Sequence, residues 1–187
     1  MVTSNFSPRE LRDAFGRFAT GVTVITAVKP DGQYVGITAN SFASVSLDPP
    51  LVLWCIARNS PSVSAFSENS AFAVTILGAS ERETALHFAG RASSKFPGGA
   101  TAAPERAPTV PGANLCRIDC VVERLSEAGD HFIVLGRVQA IDLSSGEPLA
   151  FHCGKFGRFL SEARAAELDI WEAGGVEMPR YLRTPFE

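Results

Sequence analysis

Two runs decide the fold. Asn114-Leu115-Cys116-Arg117-Ile118-Asp119-Cys120-Val121-Val122-Glu123-Arg124-Leu125 is followed, after Glu127-Ala128-Gly129-Asp130, by His131-Phe132-Ile133-Val134-Leu135-Gly136-Arg137-Val138-Gln139-Ala140-Ile141-Asp142-Leu143. Both are long and rich in strand-forming residues. Glycine and aspartate between them suit a reversing turn, so the pair is expected to form a long antiparallel hairpin. Cys116 and Cys120, four apart in a strand, share a face and read as reduced, buried thiols.

Working outward, Val22 to Val28, Gln33 to Ile37 and Ala71 to Leu77 also read as strands, the first two hairpinned through Lys29-Pro30-Asp31-Gly32. Leu51 to Ile56 is a continuous apolar run, expected to be a strand buried on both faces. Ser7-Pro8-Arg9-Glu10 is a helix start with capping serine, first-turn proline and capping-box glutamate. Leu11, Phe15 and Phe18 then share a helical face, with Gly21 as the stop. Ser60 to Ser67 and Glu81 to Ala89, the latter starting from Ser80, are expected to be short helices. Residues 92–112, rich in Ala, Pro and Gly, are expected to form a long loop; loops beyond ~15 residues are uncommon in a compact domain, hence a functional or mobile one is expected.

About six strands, short helices and no regular βαβ alternation favour an antiparallel barrel over a doubly wound sheet. No Gly-x-Gly-x-x-Gly or Walker-type loop appears. At 187 residues the chain is expected to be a single domain over residues 1–160 with a tail from 161 to 187. It carries 17 Lys+Arg against 20 Asp+Glu, net charge −3, and has no basic run, which argues against a nucleic-acid partner. No stretch approaches the ~18 apolar residues of a membrane span. The N-terminus lacks the pattern of a signal peptide, so a soluble cytoplasmic protein is expected. The four cysteines form no Cys-x-x-Cys pair, and His87, His131 and His152 are scattered, so no metal site is expected.

The segment of most chemical interest runs from Gly36 through Thr38, Ala39, Asn40 and Ser41 to Leu51. Small hydroxyl and amide residues directly after an apolar strand can offer hydrogen bonds and unpaired backbone amides to a planar polar ligand or a phosphate. Gly36 permits close backbone approach. The same run can also satisfy itself through local turns.

Five segments in order resemble the short-chain flavin reductases that serve two-component monooxygenases. They are Phe18 to Thr26, Gly36 to Leu51, Cys55 to Ser62, Phe88 with Lys95-Phe96, and Gly129 to Val138, within a resemblance covering about residues 7–160. It implies a mostly β, antiparallel Greek-key split β-barrel with short peripheral helices. It also implies a homodimer, oxidation of NADH or NADPH, and delivery of reduced FMN or FAD to a flavin-dependent oxygenase.

Carried over residue by residue, the resemblance gives Gly36, Thr38, Ala39, Asn40 and Ser41 to the isoalloxazine and ribityl chain. Cys55, Ile56 and Ala57 fall on the strand end beside them. Arg58, Ser60 and Ser62 fall near the phosphate, where a cation and hydroxyls at a helix N-terminus also suit an anion. His87-Phe88 would lie on the phosphate or adenylate side, and Lys95 would add a phosphate contact. His131 would position the nicotinamide, with no acid–base role. Leu149 to Phe156 departs from the family pattern at Cys153 and Lys155-Phe156, and the tail shares no motif with it. Two other functions remain open: a tightly bound flavin that reduces another acceptor such as ferric iron or a quinone, and a non-catalytic electron carrier.

Overall fold

The computed structural model describes residues 6–90, 95–96 and 106–161. The tail beyond Ser161 and most of the 92–112 loop lie outside the described residues. The elements are α1 (Pro8–Phe15), β1 (Thr20–Gly21), β2 (Thr23–Val28), β3 (Tyr34–Ala39), β4 (Ala43–Leu47) and β5 (Pro50–Ala57). They continue with β6 (Ala71–Leu77), α2 (Arg82–Ala89), β7 (Asn114–Ala128), β8 (His131–Leu143), β9 (Leu149–His152) and β10 (Lys155–Arg158).

Seven strands form one antiparallel sheet in the order β3-β2-β6-β7-β8-β5-β4. Its edges, β3 and β4, are consecutive in the chain and joined by residues 40–42 alone. Such a link reaches at most ~14 Å, whereas seven flat strands would set their edges ~29 Å apart. The sheet therefore curls into a barrel. No ladder closes β3 onto β4, so the barrel is split along that seam, and the strands on either side keep unpaired edge groups.

The barrel is filled by the inward residues of its strands together with Phe66, which enters from the segment between β5 and β6. Trp54, Phe66 and Phe72 meet in tilted and edge-on contacts, with ring centroids 4.8–6.4 Å apart, and Ile25, Val74, Val122 and Val134 pack around them. Burial of each such side chain contributes about 1.5–3 kcal/mol. Gly136 on β8 is a glycine because any Cβ there would enter the Phe72 ring. Outside the barrel, α2 lays Ala85 and Phe88 on Val22, Val24 and Leu77, with Val110 and Leu149 completing a second cluster. Arg117 braces the segment that carries Val110, donating to Ala107 O at 2.8 Å and Pro108 O at 3.2 Å and pairing with Asp119 at 2.6 Å.

The β7–β8 hairpin forms as expected, turning on Gly129 at φ +63°. The β2–β3 hairpin and β6 also form. The Ser7 capping box is present, but α1 stops at Phe15 with Gly16 as its cap, and Gly21 lies in β1. The helix buries none of its residues; Phe15 is 71% and Phe18 77% exposed. The run Leu51 to Ile56 is not buried on both faces: Val52, Trp54 and Ile56 face the core, while Leu51, Leu53 and Cys55 are half-buried. In place of a helix over 60–67 there is a 3-10 turn, Val63–Ala65, because Phe66 drops into the core against Trp54. The small sheet β1-β9-β10 goes beyond the six strands expected. Cys116 and Cys120 are buried, and burial pushes the Cys120 thiol up to about 12.

Candidate functional site

The seam places the Gly36–Ser41 segment at an open strand edge. Gly36 is buried because the ring of Phe88 takes the space a side chain would need. Its close approach is thus made first to α2. Thr38 donates from Oγ1 to Ala85 O at 2.6 Å, fixing the same helix to β3. Ala39 turns its methyl into the core, Asn40 is exposed, and Ser41 ties the β3–β4 link to β5, its Oγ accepting from Cys55 N at 3.0 Å. Ile56 is a core residue, so it faces the seam only through its backbone. The hydroxyl of Ser41, the amide of Asn40 and the backbone edges beside them are donors and acceptors of the kind a flavin ring edge requires.

At one end of this seam lies a cavity of about 780 Å³. It gathers Gly36, Ser60, Ser62, Phe88 and Lys95 from the residues expected on sequence, and adds Lys29, Gln33, Tyr34, Asn59 and Phe96. Lys95 Nζ donates to Phe88 O and Gly90 O, each at 2.6 Å, closing the C-terminus of α2; its third N–H is left for a ligand. Burial pushes the Lys95 ammonium below its ordinary value. His87 supports this corner, its Nε2 lying 2.8 Å from Lys95 O and its ring meeting Phe88 edge-on. Because the expected helix is only a 3-10 turn, the anion would be met there by hydroxyls and the lysine, without a helix dipole.

Arg58 does not join that cavity. Its guanidinium pairs with Glu127 at 3.1 Å and lies 5.3 Å from the centroid of the Phe132 ring. The backbone N–H of Arg58 donates to Asp130 O at 2.9 Å. Arg58 thus braces the β7–β8 corner, where His131 pairs with Ala57 across the ladder. The Asp130 carboxylate can only accept, so His131 Nδ1 carries the proton between them, at 2.7 Å, and Nε2 is left open. That hydrogen bond holds the Asp130 carboxyl below the usual carboxylate range.

The sequence reading passed over Lys29, Gln33 and Tyr34 as turn and strand residues and did not single out Asn59. Their meeting depends on the β2–β3 turn reaching the exit of β5, a juxtaposition with no local signal. Among the described residues no cluster of metal-ligating side chains occurs, and no helix is long and apolar enough to cross a membrane.

Residues 15–159 match the model of the flavin reductase like domain family. The chain is 44% identical over 153 residues to an NADH-dependent FMN reductase, SmoA, of Agrobacterium fabrum, covering 81% of this chain and 86% of the relative. It is 38% identical over 151 residues to the reductase subunit HsaB of a flavin-dependent monooxygenase of Rhodococcus jostii, covering 80% and 76%. Among solved structures, the NADH:FAD oxidoreductase SgcE6 of Streptomyces globisporus, in complex with NAD and FAD fragments, superposes with a TM-score of 0.74 at 35% identity over 86% of this chain and 99% of the other.

Proposed function

The chain belongs to the flavin reductase like domain family, and from that premise we propose that it is an NAD(P)H:flavin oxidoreductase supplying reduced flavin to a separate monooxygenase. The relatives named as such reductases support the activity. The observation that carries it in this molecule is the open seam: the link bearing Asn40 and Ser41 lies beside β5, whose exit pairs with His131 at Ala57 and leads directly into the anion-suited cavity at Asn59 to Ser62.

When bound, flavin and nicotinamide would themselves supply the hydride transfer, so both reacting groups would be brought by the ligands. The protein's part is to bind, orient and exclude water. In our reading the backbone of Gly36 to Ser41, with the side chains of Asn40 and Ser41, holds the ring edge and ribityl chain. Cys55, Ile56 and Ala57 form the strand floor beside it. Ser60, Ser62 and the free N–H of Lys95 meet the phosphate, with His87 and Phe88 keeping Lys95 and α2 in place. Thr38 acts by anchoring α2, and Arg58 by bracing the hairpin corner. His131 offers Nε2 to the carboxamide of the nicotinamide, its ring held by Asp130.

The chain acts as a homodimer in this reading. Phe15 and Phe18 on the α1 side and Leu47, 94% exposed on edge strand β4, are apolar surface in search of a partner. Four free cysteines support a reducing, cytoplasmic setting.

The test is anaerobic. Flavin-stripped protein is mixed with NADH or NADPH, FMN or FAD is added in rising amounts, and the loss of flavin absorbance is followed. Saturable, protein-dependent reduction is expected. Flavin binding without reduction by either nucleotide would make the protein a carrier. Light scattering on the eluted peak checks the dimer.

A further inference from the structure

We propose that the cavity beyond the phosphate end takes the adenosine phosphate half of FAD, so that this chain prefers FAD to FMN. The inference rests on the flavin reductase reading and adds the choice of flavin.

The first support is length. β3 starts from the cavity at Tyr34 and reaches the seam at Ala39. At ~3.3 Å per residue that is ~17 Å, and Gln33 lies one residue farther out. A flavin whose ring lies at Asn40 and Ser41 brings its first phosphate to Ser60, Ser62 and Lys95. The part of the cavity around Gln33, Tyr34 and Lys29 is then left over. FMN ends at its phosphate and would leave that part to water; FAD continues into it.

The second support is chemistry. One wall is aromatic: Tyr34 stands edge-on to Phe96 at 6.0 Å between centroids, and Phe96 lies 5.3 Å from Phe88. A flat heterocycle packs well against such a wall. The lining also carries two carboxamides, Gln33 and Asn59. Gln33 Oε1 is held by Lys29 Nζ at 2.7 Å, which leaves the two N–H of Gln33 unused, and Asn59 has no partner among the described residues. A carboxamide can pair with adenine through N6 and N7. Lys29 and Lys95 both line the cavity, so a diphosphate would meet two ammonium groups in a chain whose net charge is −3. A volume of about 780 Å³ lies within the range of small-ligand sites, ~300–1,000 Å³.

An adenosine phosphate is also part of NADH, so the experiment separates the two sources. With the full chain, kcat/KM is measured for FAD and for FMN at saturating NADH, and KM for NADH at saturating flavin. Gln33→Ala and Tyr34→Ala are compared with the parent. FAD is expected to exceed FMN by about tenfold, the worth of one or two net hydrogen bonds. Each variant should shrink that ratio severalfold while leaving FMN turnover and the KM for NADH unchanged. FMN turnover thereby reports that the variants fold. Adenosine 5′-monophosphate should compete with FAD and not with NADH.

Equal kcat/KM for the two flavins in the parent would overturn the proposal. So would a rise in the KM for NADH at an unchanged flavin ratio, which would give the cavity to the nicotinamide dinucleotide. Should neither flavin be reduced, the reductase reading fails on its own. Fluorescence titration with FAD and FMN then still decides the cavity: tighter FAD binding, weakened in Gln33→Ala, supports it, and equal binding removes it.

Discussion

Two regions beside the exit of β5, one backed by α2 and one by the β7–β8 hairpin, are built differently. At the α2 end, the side chains that sequence offers to a ligand already have partners inside the protein. Phe88 covers Gly36, Thr38 holds Ala85 O, and Lys95 closes two helix carbonyls. At the hairpin end, His131 is half-buried with one nitrogen fixed by Asp130 and the other open. The first end is scaffold that lends a ligand its remaining donors, and the second presents a side chain outright. Mutations at the first should therefore act on stability before affinity, and those at the second on affinity alone.

The largest break in that contrast is Phe88→Ala. It removes a buried ring that holds α2 to β3, and a loss of about 3–5 kcal/mol is expected in denaturant unfolding, with flavin affinity falling alongside. Unchanged stability would show that α2 is not held from beneath.

Next is Asp119→Asn, behind the same scaffold. Burial raises the Asp119 carboxyl, but hydrogen bonds from Arg106 and Arg117 outweigh this and hold it below its ordinary value of 3.8. A depressed folded value gives stability that is complete above about pH 4 and is lost as pH falls through the folded value. The substitution should cost roughly 1–2 kcal/mol at neutral pH, between the worth of an exposed and a buried pair. The gap to the parent should narrow in acid, and urea titrations at pH 7 and pH 3 check both statements.

At the open end, His131→Ala should raise the KM for NADH up to about tenfold, the worth of one hydrogen bond. Melting temperature should stay unchanged and flavin binding be less affected. An equal loss of flavin affinity would move His131 to the flavin. The smallest effect is expected from Ser41→Ala, which should weaken flavin binding by about 0.5–1.5 kcal/mol in a fluorescence titration. Unchanged affinity would restrict Ser41 to tying the β3–β4 link to Cys55 of β5.

What was legible in the sequence follows the range of the forces involved. The capping box at Ser7 and Glu10 and the β7–β8 hairpin are local patterns, and both are present. Ser60-Pro61 is a sound helix signal locally, yet the core's claim on Phe66 prevails and only one 3-10 turn forms. β1, β9 and β10 are two to four residues long and exist through their mutual pairing, so no periodicity announces them. Residues such as Ser60, Ser62 and Lys95 could be named as site candidates because a family resemblance tied them together. Tyr34 and Gln33 could not, because only closure of the barrel brings the β2–β3 turn to the exit of β5.

The buried thiols have a consequence for the chemistry this protein lives beside. Reduced flavin that escapes its oxygenase reacts with dioxygen and yields peroxide, so a reductase works near an oxidant of its own making. Peroxide attacks thiolates far faster than thiols. With Cys120 held up to about 12 and Cys116 also raised by burial, the barrel keeps both in the unreactive form at neutral pH. Cys153, on the exposed β9–β10 turn, is left to meet that oxidant first, where its oxidation costs the core nothing.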